Sequence, residues 1–98
     1  MKIIWSPLAI DRVGEIANYI AKDKPTAAEN WVDNIFSTVE SLASSPKLGR
    51  IVPEINKDQY REIIYGNYRI VYRLEEKQIS VLTIRHGKQL MPVEEILE

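Results

Sequence analysis

The spacing of apolar residues changes once along this chain, and that change limits the fold more than any other feature. Before residue 45 the repeat is helical. Ala9, Val13, Ile16, Ala17 and Ile20 recur three or four positions apart, as do Ala28, Trp31, Val32, Ile35, Val39, Leu42 and Ala43. Each set forms the apolar stripe of an amphipathic helix. From Tyr60 the repeat becomes two. The segments 60–65, 68–74 and 78–85 are rich in Ile, Val and Tyr, which suits strands.

Punctuation sets the boundaries. Residues 2–5 are a short apolar run, expected as a first strand. Ser6-Pro7 starts the first helix: the hydroxyl caps free N–H groups, and proline gives up a donor that has no partner there. Asp23-Lys24-Pro25 ends that helix and begins the next, so the two form an antiparallel hairpin. Ser44-Ser45-Pro46 stops the second, because the residue before proline disfavours helical geometry. Residues 47–58 read as a loop with an extended middle, punctuated by Gly49 and Pro53. Gly66-Asn67 is a two-residue hairpin turn and Glu75-Glu76-Lys77 a second turn. The tail, residues 86–98, contains Pro92 and then Val93, Ile96 and Leu97, expected as a short helix.

The order predicts one α+β domain over residues 1–98: an N-terminal strand, an antiparallel helical hairpin, then three sequential antiparallel strands in one sheet. The helices should cover one sheet face and leave the other without helical cover, which antiparallel sheets tolerate.

Composition narrows the chemistry. Ninety-eight residues, 45% of them hydrophobic, can bury a core of one domain. The chain lacks cysteine, which excludes disulfides and thiolate metal sites, and His86 is its one histidine. No calcium-loop pattern is present, so no metal or cofactor is expected. No signal-peptide pattern stands at the start, and no apolar run approaches the roughly 18–20 residues of a membrane span. The expectation is a cytoplasmic protein without a membrane partner. The net charge of −1 weighs against polyanion binding, which usually needs a basic domain.

A two-residue turn at Gly66-Asn67 fixes which side chains share a face. Tyr65 faces Tyr68, Ile64 faces Arg69, Glu62 faces Val71 and Tyr60 faces Arg73. Alternation then groups Tyr60, Glu62, Ile64, Arg69, Val71 and Arg73 on one side. Ile63, Tyr65, Tyr68, Ile70, Tyr72 and Leu74 take the helix-facing side, with Arg61 at its margin. Arg69 and Arg73, with Arg85 on the next strand, can bind phosphate or an acidic partner. The same arginines can instead be satisfied by Glu62, which lies diagonally between Arg69 and Arg73. His86 is either a general acid or base or a half-exposed cap at a strand end. Trp5 and Trp31 are either core or partner anchors, with core favoured for Trp31.

Several local patterns, in order, resemble the RelE/ParE superfamily of type II toxin–antitoxin toxins over about residues 5–88. They are Trp5-Ser6-Pro7, Tyr19-Ile20-Ala21-Lys22-Asp23, Pro25-x-Ala27-Ala28, residues 45–50 (SPKLGR), residues 68–73 (YRIVYR), and residues 84–88 (IRHGK). The resemblance implies a small toxin held inactive in a hetero-oligomer by a cognate antitoxin. The antitoxin's disordered C-terminal segment would fold on the toxin. Arg61, Arg69, Arg73 and Arg85, with Leu90 and Met91 of the tail, are the candidate contacts for antitoxin or target.

The superfamily divides by target. RelE-type members cut messenger RNA on the ribosome, and ParE-type members poison DNA gyrase. RelE-type nucleases carry lysines at two positions that fall here on Tyr60 and Glu62. Their later basic residue falls on Gln89 and their tail tyrosine on Glu95, so only Arg69 matches. A nuclease would have to be built from Glu62 as base with Arg69, Arg85 and His86 assisting. The residues 86–88 (HGK) resemble the ParE branch, and the pI of about 5.9 agrees. The resemblance therefore implies a gyrase inhibitor without catalytic residues, with an mRNA endonuclease or an inactive antitoxin-binding relative as alternatives.

Overall fold

The computed structural model describes residues 1–97, which form two helices and one five-stranded sheet. Strand β1 (Lys2–Trp5) leads into α1 (Pro7–Ala21) and α2 (Pro25–Glu40). A single 3-10 turn at Ser41–Ala43 ends the hairpin just before Pro46. The loop beyond it contains the short strand β2 (Arg50–Ile51). The meander β3 (Tyr60–Tyr65), β4 (Tyr68–Leu74) and β5 (Gln78–His86) follows, and a 3-10 turn at Val93–Glu95 lies in the tail.

Ser6 does more than cap α1. Its Oγ accepts from the Ala9 N–H at 3.0 Å and donates to the Leu82 carbonyl at 3.0 Å, so one hydroxyl starts the helix and ties it to β5. Pro25 opens α2 without a side-chain cap. The turn between β3 and β4 has a positive φ at Gly66 but not at Asn67, the pattern of a turn with glycine first. The register is the one the turn dictates: Tyr60↔Arg73, Glu62↔Val71, Ile64↔Arg69 and Tyr65↔Tyr68.

The sheet order is β1-β5-β4-β3-β2, with β1 parallel to β5 and the other pairs antiparallel. A bulge opposite Val71 and Tyr72 makes Leu82 an extra residue in β5. It shifts the alternation so that Ile79, Val81 and Ile84 all reach the helix side while Leu82 joins the opposite face.

The helices pack on that first face. Val13, Trp31, Ile35 and Val39 meet Ile70, Val81 and Ile84, with Ile3, Trp5, Ile16, Ile63, Tyr65 and Tyr68 around them. Both tryptophans belong to this layer. Trp5 packs at a tilt against Phe36 with centroids 4.7 Å apart, and Trp31 meets Tyr68 edge-on at 5.3 Å. The anchor reading of Trp31 is thereby replaced by the core reading.

The expectation of a bare second face needs correction. Helices do not cover it, but the loop after β2 and the tail do. Val52, Val71, Met91 and Ile96 form a buried cluster there, with Ile55, Tyr60 and Leu82 against it. The cause is apolar content: Val71 and Leu82 point away from the helices and would otherwise meet water.

Tyr72 fixes the loop that leads into β2. Its buried hydroxyl donates to the Pro46 carbonyl at 2.7 Å and accepts from the Gly49 N–H at 3.0 Å. A Cβ on Gly49 would lie 2.5 Å from the Glu62 carbonyl oxygen and 2.8 Å from the Tyr72 hydroxyl. Gly49→Ala should therefore destabilise the protein by about 1–3 kcal/mol. Gly14→Ala, in α1 with nothing within 4 Å of the added methyl, should be neutral or stabilise it by up to about 1 kcal/mol. Urea unfolding of both variants tests this; equal midpoints would show that the Gly49 contact does not matter.

Candidate functional site

The face opposite the helices holds Glu62, Arg69, Arg73 and Arg85 of the charged residues singled out from sequence, arranged in three separate groups. The first is built across β2, β3 and β4. Glu62 stands opposite Arg50 on β2 and diagonal to Arg69 on β4. Its side chain is fully buried, with one oxygen taken by Arg50 Nε at 2.6 Å and the other by Arg69 Nε at 2.7 Å. The remaining Arg69 nitrogens reach Glu54 in the loop, at 2.9 and 2.7 Å. Arg69 is itself buried, at 7% exposure.

Arg69 holds the Glu54 carboxyl down to a pKa of about 2, against an ordinary value of 4.5. Glu54 in turn raises the pKa of Arg69, burial opposes this, and Glu62 adds to the rise. The sequence reading paired Glu62 with Arg69 and Arg73. The structure retains the first partner and replaces the second by Arg50.

The second group pins the tail. Glu95 accepts from Arg12 on α1 at 2.6 Å, from Arg85 on β5 at 2.6 Å and from Thr83 at 2.9 Å. Burial alone would favour the protonated acid, but these three donors outweigh it and lower the Glu95 pKa. One carboxylate thus joins helix, sheet and tail.

The third group is looser. Arg73 meets Glu75 only at 3.3–3.4 Å, and the Glu75 carboxylate accepts a closer bond from the Ser80 hydroxyl. Arg61 lies apart from all three. It binds the Gly49 carbonyl at 2.9 Å and Asp58 at 2.7 Å, holding both ends of the loop before β3.

The remaining candidates separate. His86 ends β5, packs edge-on against Tyr68 at 5.5 Å, and accepts from the Lys88 N–H at 3.2 Å. That is the strand-end cap foreseen as one of its two readings. Leu90 is 93% exposed, whereas Met91 is 5% exposed and packed in the second core cluster. The tail contact expected of the pair therefore reduces to Leu90, because Met91 faces inward. Glu54, Arg50, Arg12 and Glu95 were missed as site residues. All four act in pairs that tertiary contacts create, and the only sequence signal was the excess of arginines over Glu62 on one face.

This arrangement ties the strands, the loop after β2 and the tail to one another. A general base needs an accessible lone pair, and both oxygens of Glu62 are occupied and sealed from solvent. A phosphate clamp needs free donors, and every nitrogen of Arg69 already holds a carboxylate. Arg85 is engaged by Glu95, and His86 has no acid or base partner among its hydrogen bonds.

The sequence matches the family model for the ParE toxin of the type II toxin–antitoxin system, parDE, over residues 3–91. The chain belongs to the ParE toxin family. A protein of Sinorhizobium fredii named "Putative toxin Y4kP" is 37% identical over 93 residues, covering 93% of each chain. Toxin RelE2 of Caulobacter vibrioides is 24% identical over 89 residues, covering 91% of this chain and 98% of its own length. Among solved structures, the chromosomal ParDE system from P. aeruginosa superposes with a TM-score of 0.73 at 21% identity, over 90% of this chain and 97% of that one. The YoeB dimer of Staphylococcus aureus does so at 0.57 and 20%, over 88% and 95%. At those identities the likeness to the solved structures is one of fold. The suspected superfamily and its ParE branch are thus established for this chain.

Two measurements test the charged core of this ParE-family toxin. Glu62→Gln should cost about 3–5 kcal/mol, because it leaves buried Arg69 short of a partner. Replacing both residues with leucine should cost less than the single change, since no buried charge is then stranded. A double variant less stable than Glu62→Gln in urea would contradict this. Glu54 also sets an acid limb. Its folded pKa lies below the unfolded one, so its stabilisation is present above about 4.5 and lost as pH falls through about 2. In Glu54→Gln the loss of stability across that window should be shallower; an unchanged slope would assign the limb elsewhere.

Proposed function

We propose that this ParE-family toxin inhibits DNA gyrase by binding it, acts in the cytoplasm, and is neutralised by a cognate antitoxin. The observation that carries this reading is the state of Glu62 and Arg69. The two groups best placed for RNA chemistry are locked on each other and on Arg50 and Glu54. An inhibitor that works by shape needs rigid surface rather than free acids and bases. The ion pairs supply rigidity by fixing the loop and three strands to one another.

Family membership supports the same target, since residues 86–88 (HGK) resemble the gyrase-poisoning branch. The antitoxin segment would bury the apolar side chains left on the surface. Tyr19, Leu48, Ile64 and Leu90 are each more than half exposed, and their desolvation would drive a disordered segment to fold on the toxin.

The test is a supercoiling assay with purified toxin. Gyrase should lose supercoiling activity and accumulate cleaved DNA, and prior addition of the antitoxin should prevent both. Intact supercoiling in the presence of toxin that still arrests growth would reject the gyrase target. Primer extension that then mapped cuts in translated messages, abolished by Arg69→Ala, would replace it with the endonuclease reading.

A further inference from the structure

On the face away from the helices, a groove of about 450 Å³ runs between the first strand, the bulged part of β5 and the tail. Ile4, Leu8, Leu82 and Ile96 give it apolar walls, and Arg73 and Ser80 give it a polar end. Leu82 is there because the β-bulge turns it away from the helical side.

Arg73 differs from the other five arginines. Arg12, Arg50, Arg61, Arg69 and Arg85 each hold a carboxylate oxygen at 2.9 Å or closer. Arg73 reaches Glu75 only at 3.3 Å and is 38% exposed. Glu75 is drawn aside by the Ser80 hydroxyl. Tyr60 is a further hydrogen-bond partner beside the Arg73 guanidinium, but it carries no carboxylate. Glu95 also borders the groove, but three donors already saturate it. The cleft therefore presents one under-used cation beside an apolar trough.

We infer that this groove docks a segment of the antitoxin that places an aliphatic side chain on Leu8, Leu82 and Ile96 and a carboxylate on Arg73. The inference rests on the antitoxin reading above and gives that partner an address and a chemistry. A carboxylate is the matching group because guanidinium binds it through paired N–H bonds. The partner's acid would displace a weak internal contact, so little is lost on binding. An apolar neighbour in the trough excludes water from the pair and strengthens it. Arg61 and Arg69, also foreseen as antitoxin contacts, lack this spare capacity because carboxylates and carbonyls already fill their donors.

The experiment is calorimetric titration of the full-length toxin with a synthetic peptide. The peptide would carry the C-terminal 40 or so residues of the protein encoded by the adjacent reading frame. Arg73→Gln should weaken binding roughly tenfold or more and flatten its dependence on salt. Leu8→Asp, on the first turn of α1 where an acid suits the helix, should weaken it comparably while the melting curve stays near wild type. Binding of both variants within about twofold of wild type, with wild type binding tightly, would remove the groove while leaving the toxin–antitoxin pairing intact. Absence of any binding by wild type would overturn the pairing, and the groove inference with it.

Discussion

A carboxylate sealed from water on a sheet face organises this molecule. Glu62 cannot sit there charged without partners, since isolated burial of an ion costs several kcal/mol. Arg50 and Arg69 provide them, and Arg69 extends the chain of pairs to Glu54. The consequence is mechanical. Strands β2, β3 and β4 and the loop carrying Glu54 become one unit, because moving any of them strands a charge. The short β2 has only two residues, too few to persist on backbone bonds alone. Its position owes much to Arg50.

The same logic recurs at the other end of the face. Glu95 gathers Arg12, Arg85 and Thr83, and so brings the tail down over the sheet. Met91 and Ile96 then fill the space above Val71 and Val52. Charge sets where the tail lies, and apolar contact makes the position stable. A fold of this size has few ways to hold a tail, and here one acid does it from three directions.

These commitments shape what the protein can do. Relatives named for RelE and for ParE both match this chain, and a shared scaffold does not by itself choose a function. Here the central polar side chains are not free, and the surface offers fixed apolar side chains and one loosely held guanidinium. That inventory suits recognition by another polypeptide.

Much of the architecture was legible in advance for a local reason. Helix stripes, the Ser6-Pro7 start, the Pro46 stop and the Gly66-Asn67 turn act over a few residues, and the turn alone fixed the β3–β4 register and grouped Glu62 with Arg69 and Arg73. The site was only partly legible. Glu62 with Arg69 could be foreseen because they lie on adjacent strands across a known turn. Arg50, Glu54 and Arg12 with Glu95 could not, because loops and tails bring them together without any periodic pattern. The covered second face was missed for the same reason: nothing in residues 86–97 encodes where the tail will lie. The amino-acid order by itself determined the two helices, the first strand and the three-stranded meander with its sidedness, since those follow from short-range sterics and periodicity, whereas the short β2 was read only as the extended middle of a loop. Tertiary structure alone decided that β1 runs parallel beside β5, that Leu82 bulges outward, and which arginines are spent and which is spare. Those outcomes depend on distances between residues far apart in sequence, and they emerge only when desolvation forces every buried charge to find its partner.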